Sequence, residues 1–236
     1  MVYMRQLKGY ETPGKEHHVC HLNQVIYGLK QSGREWYNML CGIMQQFGLM
    51  HCKTKHAVFH KHNDNDTLII TVDVDNLTMA GNTKTVIHKF KDKLCTILRI
   101  KDFGDLHWLL GIKVECNHKL HMISFSQHAY IEKIIKRFGL QDANPLSTPL
   151  DPHHKHTLSQ SPSTACQFND MCNMPFRETI GSLMYAALDT CLDISFGVSF
   201  LAQFMQNTGR PHWEVVKQVL HYLKGTKVTR LIIGGS

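Results

Sequence analysis

The chain has 236 residues, 43% hydrophobic and 19% charged, a balance that excludes an intrinsically disordered polypeptide. Lysine and arginine outnumber aspartate and glutamate by 26 to 19, a net charge of +7 that fits a polyanionic partner without requiring one. No apolar run reaches the roughly 18–20 residues of a membrane helix, and the start Met1-Val2-Tyr3-Met4-Arg5-Gln6 lacks the apolar core of a signal peptide, so the expectation is an intracellular protein, cytoplasmic or nuclear, with no membrane partner.

In chain order, Pro13-Gly14 marks a loop, Val19 to Ile26 reads as a strand, and Arg34 to Phe47 reads as a helix with Trp36, Leu40 and Ile43 on one face. A strand is expected over His56–His60, then a polar loop over Lys61–Asp66. The β-branched run Leu68–Val74 predicts a strand and Leu77–Ala80 its returning partner, which puts Asp75-Asn76 at the tip of a tight hairpin. Thr83 to Leu98 carries Val86, Phe90, Leu94 and Ile97 at helical spacing. A second hairpin is expected from Trp108–Val114 and Leu120–Phe125, turning at Asn117-His118.

The second half changes character. Tyr130, Ile131, Ile134, Ile135 and Phe138 stripe a short helix, and Pro145–Ser163, with four of the seven prolines, reads as an irregular connector. Three helices are expected from Pro175 onward. The second is striped by Ile194, Val198, Leu201 and Met205, and the last by Trp213, Val216, Leu220 and Leu223. In that last helix Lys217, His221 and Lys224 fall at i, i+4 and i+7, a candidate phosphate-binding face or simply a solvated basic one. Eight cysteines from Cys20 to Cys191 include no CxxC pair. Cys166 and Cys172 with His153, His154 and His156 match no zinc pattern, so reduced thiols are the better reading.

Five ordered stretches give a more specific signal. They are Val19-Cys20-His21-Leu22-Asn23 with Tyr27-Gly28-Leu29-Lys30-Gln31-Ser32-Gly33-Arg34-Glu35-Trp36; Val72-Asp73-Val74-Asp75-Asn76; and Asp102-Phe103-Gly104 through Leu109-Leu110-Gly111-Ile112. The fourth runs from Ser126-Gln127 to Ser147-Thr148-Pro149-Leu150, and the fifth from Ile180-Gly181-Ser182-Leu183-Met184-Tyr185 to His212-Trp213-Glu214 and Tyr222-Leu223-Lys224-Gly225-Thr226. Together they resemble the reverse transcriptase of copia-type retrotransposon Pol polyproteins over nearly the whole chain.

That resemblance implies an α+β right-hand polymerase palm followed by an all-helical thumb. Residues 1–125 would be partial fingers and palm, 126–174 a first thumb helix and connector, and 175–236 a helical thumb ending before the RNase H domain. It implies that Asp75 is a catalytic and metal-binding carboxylate for magnesium, with Asn76 in the place of a second one. Tyr27, Gly28, Lys30, Gln31 and Arg34 would lie near template and nucleotide, Leu109, Leu110 and Gly111 would form the primer grip, and Lys217, His221 and Lys224 would hold the RNA/DNA template-primer duplex.

Departures from the family pattern bear on chemistry. Its Y-V-D-D tetrad has become Asp73-Val74-Asp75-Asn76, and a neutral amide is a poorer ligand for a hard cation. Its first palm carboxylate lies upstream of a V-Y-M-x-Q motif that here begins at Val2. Gly33 stands where proline is common, and Cys191-Leu192 where Arg-Pro is expected. The expectation is therefore a catalytically inactive remnant of an RNA-directed DNA polymerase. The alternatives are a non-catalytic nucleic-acid-binding module or one that associates with intact retrotransposon proteins.

Overall fold

The computed structural model describes residues 2–63, 65–151 and 157–235. It divides into two compact units, Met1–Asp102 and Phe103–Ser236. Both are mixed α and β with antiparallel pairing throughout, an α+β chain.

The first unit opens with a two-stranded ribbon, β1 (Tyr3–Arg5) against β2 (Val19–His21), in the register Tyr3↔His21 and Arg5↔Val19. The strand expected to reach Ile26 stops at His21, because the ladder ends where its three-residue partner ends. Helix α1 (Ser32–Gln46) follows, then β3 (Met50–His51), β4 (Val58–His62), β5 (Thr67–Asp73), β6 (Asn76–Gly81) and helix α2 (Lys84–Cys95). Strands β3 to β6 form a meander in sequence order, with β4 displaced by two residues from the expected His56–His60.

Alternation along β5 sets the layers. Leu68 and Ile70 are buried while Ile69 and Thr71 face outward, as a strand with one covered face requires. Leu40, Ile43 and Met44, at i, i+3 and i+4 on α1, meet Phe59 from β4 and Phe90 and Leu94 from α2 in one apolar cluster. Each fully buried side chain of this size contributes about 1.5–3 kcal/mol. Thr83 caps α2, its hydroxyl accepting from the Val86 N–H at 3.3 Å.

The second unit holds β7 (Trp108–Leu109), β8 (Ile112–Asn117), β9 (Met122–Ser126), α3 (His128–Arg137), α4 (Ala165–Cys172), α5 (Phe176–Asp189), α6 (Ser195–Ala202), α7 (Arg210–Thr226) and β10 (Leu231–Gly234). Its core joins Ile131, Ile134 and Ile135 of α3 to Ile180 and Leu183 of α5, Val198 and Leu201 of α6, and Val216, Leu220 and Leu223 of α7.

Three expectations are corrected here. Trp108–Val114 is not one strand, because the chain reverses at Leu110-Gly111, where both residues have positive φ (50° and 80°), the pattern of a two-residue hairpin turn. The next reversal spans residues 118–121, with the Asn117 side chain accepting from the Lys119 and Leu120 amides, both at 3.2 Å. The C-terminal part is not all-helical: β10 pairs with β9 in the sheet order β10-β9-β8-β7. Helix α4 also stands just beyond the irregular connector, opened by a Thr164–Gln167 capping box. Among the described residues no helix is long and apolar enough to cross a membrane.

Candidate catalytic hairpin and duplex-facing elements

The β5–β6 hairpin carries the candidate catalytic residues. Its register pairs Asp73 with Asn76, so the two-residue tip is Val74-Asp75 rather than Asp75-Asn76. Val74 has φ 55° while Asp75 is not in the left-handed region. A β-branched residue there is strained, at a cost of about 1–2 kcal/mol. Asp73, Asp75 and Asn76 are all exposed.

Two side chains reach this tip from earlier in the chain. The Tyr27 phenol donates to Oδ2 of Asp75 at 3.0 Å, and the Trp36 indole N–H donates to the Val74 carbonyl at 2.7 Å. The Asp75 carboxylate holds the Tyr27 phenol above its ordinary pKa, first through that hydrogen bond and then through its charge. Tyr27 sits in a loop tightened by Gly28, at φ 91°, and by the Ser32 hydroxyl, which donates to the Ile26 carbonyl at 2.5 Å. Gln31 is the residue preceding α1, Arg34 lies exposed in its first turn, and Lys30 is exposed just before it. The fold therefore brings Tyr27 to Asp75 directly. Trp36, expected on one helical face with Leu40 and Ile43, also turns its indole nitrogen to the hairpin.

A divalent-cation site requires several anionic oxygens. Among the described residues no group of three or more His, Cys, Asp or Glu side chains is placed to hold a metal ion. Asp75 with Asp73 and the neutral Asn76 is too sparse a donor set for such an ion. His153, His154 and His156 lie outside the described residues, while Cys166 and Cys172 are exposed on α4.

In the second unit the tip of the Leu109-Leu110-Gly111 hairpin is held from α5, where the Tyr185 hydroxyl donates to the Leu110 carbonyl. Tyr185 packs edge to face on Tyr130, centroids 4.8 Å apart, and Tyr130 donates to the Ser182 carbonyl at 3.1 Å. Burial at the start of α3 selects another polar residue: Gln127, 1% exposed, accepts from Thr190 at 2.7 Å and donates to Asp189 at 3.3 Å.

On α7 the three basic candidates differ in their partners. Lys217 pairs with Glu214 at 2.5 Å. His221 Nδ1 donates to the Asn144 carbonyl at 2.6 Å. Lys224 donates to the carbonyls of Gln141 and of Ala143, the latter at 2.6 Å. A Cβ on Gly225 would lie 3.2 Å from the Pro145 ring, so that glycine lets the same segment approach closely. His221 and Lys224 thus pin residues 141–144 to α7.

Comparison with known proteins gives this arrangement a family. The family described as reverse transcriptase (RNA-dependent DNA polymerase) matches residues 1–152. The retrovirus-related Pol polyprotein from transposon TNT 1-94 of Nicotiana tabacum is 36% identical over 236 residues, covering 100% of this chain and 18% of that protein. The corresponding polyprotein from transposon RE1 of Arabidopsis thaliana is 32% identical over 226 residues, 95% of this chain and 15% of its own length. The putative transposon Ty5-1 protein of Saccharomyces cerevisiae is 24% identical over 226 residues, 96% of this chain and 71% of that protein. No solved structure matches the chain. The chain thus spans less than a fifth of the two plant polyproteins named. Members of the matched family act on nucleic-acid templates and generally use divalent metal ions. The chain belongs to the reverse transcriptase (RNA-dependent DNA polymerase) family, and along its length it is similar to part of the copia-type retrotransposon Pol polyproteins.

Proposed function

We propose that the chain is a palm-and-thumb segment of a copia-type reverse transcriptase, and that with this hairpin it does not extend a primer. The reading rests on the Asp73-Val74-Asp75-Asn76 tip, where one carboxylate occupies the turn and an amide stands across from Asp73. Asp75 and a carboxylate at position 76 would hold a divalent cation, which would supply charge neutralisation for a primer hydroxyl and a triphosphate; the amide of Asn76 is a poor ligand for such a cation. Replacing such a ligand removes several kcal/mol of transition-state stabilisation, and each ~1.4 kcal/mol is about tenfold in rate. Purified protein given primer–template, magnesium and deoxynucleotides should show no extension. Extension by the unmodified chain that disappears in Asp75→Ala would overturn this reading.

Duplex binding without catalysis is the second role, favoured by the net charge of +7 and by Lys217 on α7. Its signature is an affinity for a primer–template duplex that falls steeply with salt. Retention of intact retrotransposon proteins with no duplex affinity would point instead to an association module.

A further inference from the structure

We infer that Tyr27 and Trp36 are positioning residues of the hairpin tip, the phenol aiming the Asp75 carboxylate and the indole bracing the Val74 peptide beneath it. The inference rests on the reading of Asp75 as the site carboxylate, and it gives the Tyr-Gly-Leu-Lys-Gln element a mechanical role toward that carboxylate.

The geometry carries it. A two-residue turn leaves its side chains in solvent, and Val74 is 68% exposed. Yet two donors from separate segments, one in the loop before α1 and one in its first turns, converge on adjacent residues of the tip. They act on different degrees of freedom. The Val74 carbonyl belongs to the peptide that also contains the Asp75 N–H, so a bond to that oxygen at 2.7 Å sets the plane from which the Asp75 side chain departs. The phenol then selects a rotamer of the carboxylate by engaging Oδ2.

Strain at the tip supports the assignment. A valine at φ 55° persists only where its surroundings over-determine it, and the indole supplies that constraint. Rigidity on the Tyr27 side has its own source in the Gly28 turn and the Ser32–Ile26 bond. With one carboxylate oxygen engaged by Tyr27, Oδ1 is the atom of Asp75 presented to a ligand.

The test is 13C NMR on the intact chain labelled at tyrosine Cζ and aspartate Cγ, with Tyr27→Phe assigning the Tyr27 signal. Asp75→Asn should shift the Tyr27 Cζ resonance at neutral pH, and Tyr27→Phe should shift the Asp75 carboxyl resonance while sparing that of Asp73. Trp36→Phe keeps an aromatic ring but deletes the donor. It should speed hydrogen exchange at the Asn76 amide, which closes the hairpin across from Asp73, by roughly two- to tenfold, the worth of one hydrogen bond. A Tyr27 Cζ resonance indifferent to Asp75→Asn overturns the phenol contact, and exchange unchanged by Trp36→Phe overturns the indole contact. Neither readout depends on polymerase chemistry. Primer extension by the unmodified chain would sink the inactivity reading and leave this one standing.

Discussion

His212 lies face to face with Phe204, ring centroids 3.9 Å apart and planes 12° from parallel, with none of its surface exposed. Its Nδ1 accepts from the Gly209 N–H at 3.0 Å, so Nε2 carries the proton it directs at the Thr157 carbonyl, 3.2 Å away. Gly209 has no substitute, since a Cβ there would fall 1.9 Å from the Gln160 carbonyl oxygen. The His-Trp pair that helps mark the family is thus a helix-start and core device in this chain. His212→Ala should lower unfolding free energy by about 3 kcal/mol, combining a cavity with two orphaned backbone groups. Urea denaturation measures it, and a loss under about 1 kcal/mol would contradict the assignment.

Alkaline stability should report a contact on the same helix. The Tyr222 hydroxyl donates to the Asp193 carboxylate, and that bond, with burial and the charge of Asp193, pushes the phenol up from 10.0 to about 12. Between those values the unfolded chain has released the proton and the folded chain still holds it. The folded state then binds more protons, so stability falls as pH rises. The contribution is complete below about pH 10 and gone above about pH 12. Tyr222→Phe should flatten the decline of melting temperature across that window, without abolishing it, because Tyr130 and Tyr185 are also raised.

Helix stripes were legible in the sequence because burial selects them directly. Leu40 and Ile43, Phe90 and Leu94, and Val216, Leu220 and Leu223 are all core residues at the expected spacing. Turns were legible only to within a residue. Leu-Leu-Gly-Ile looks like continuous strand, and Val74 is a poor turn former, so local propensity moved one tip and concealed the other. Contacts of polar side chains left no local signal. Nothing in the spacing of Lys224 distinguishes a phosphate ligand from a side chain turned back onto the carbonyls of Gln141 and Ala143, because that choice depends on where a segment some 80 residues away comes to rest. Trp36 shows the same limit, its ring following helical period while its N–H answers a turn 38 residues on.

The basic face of α7 should therefore divide by function. Lys217, whose ion-pair partner among the described residues is the neighbouring Glu214 across one helical turn, can exchange that partner for a phosphate at little cost. If duplex binding occurs, Lys217→Ala should reduce the slope of log affinity against log salt by about 1. Lys224→Met removes the donor to two carbonyls and should cost about 1–2 kcal/mol of folding stability. Charge reversal at Lys217 that leaves duplex affinity unchanged at every salt concentration would remove this face from the binding surface.

The last prediction concerns the amide at the hairpin. Asn76 stands directly across from Asp73, at the first pair below the Val74-Asp75 turn. Asn76→Asp would set two carboxylates opposite each other with Asp75 at the adjoining tip. Like charges on directly paired strand positions repel by roughly 0.2–1 kcal/mol, so without divalent cation the variant should melt slightly below the parent. A hard cation offers those oxygens a shared counter-charge, and a ligand that binds only the folded state raises stability by mass action. Magnesium in the millimolar range should therefore raise the melting temperature of Asn76→Asp and leave that of the parent and of Asn76→Ser nearly unchanged. Thermal unfolding with and without magnesium reads both effects, with calcium as a control for hard cations in general. A parent chain whose melting temperature already rises with magnesium, and loses that response in Asp75→Ala, would mean that Asp73 and Asp75 suffice to hold a cation.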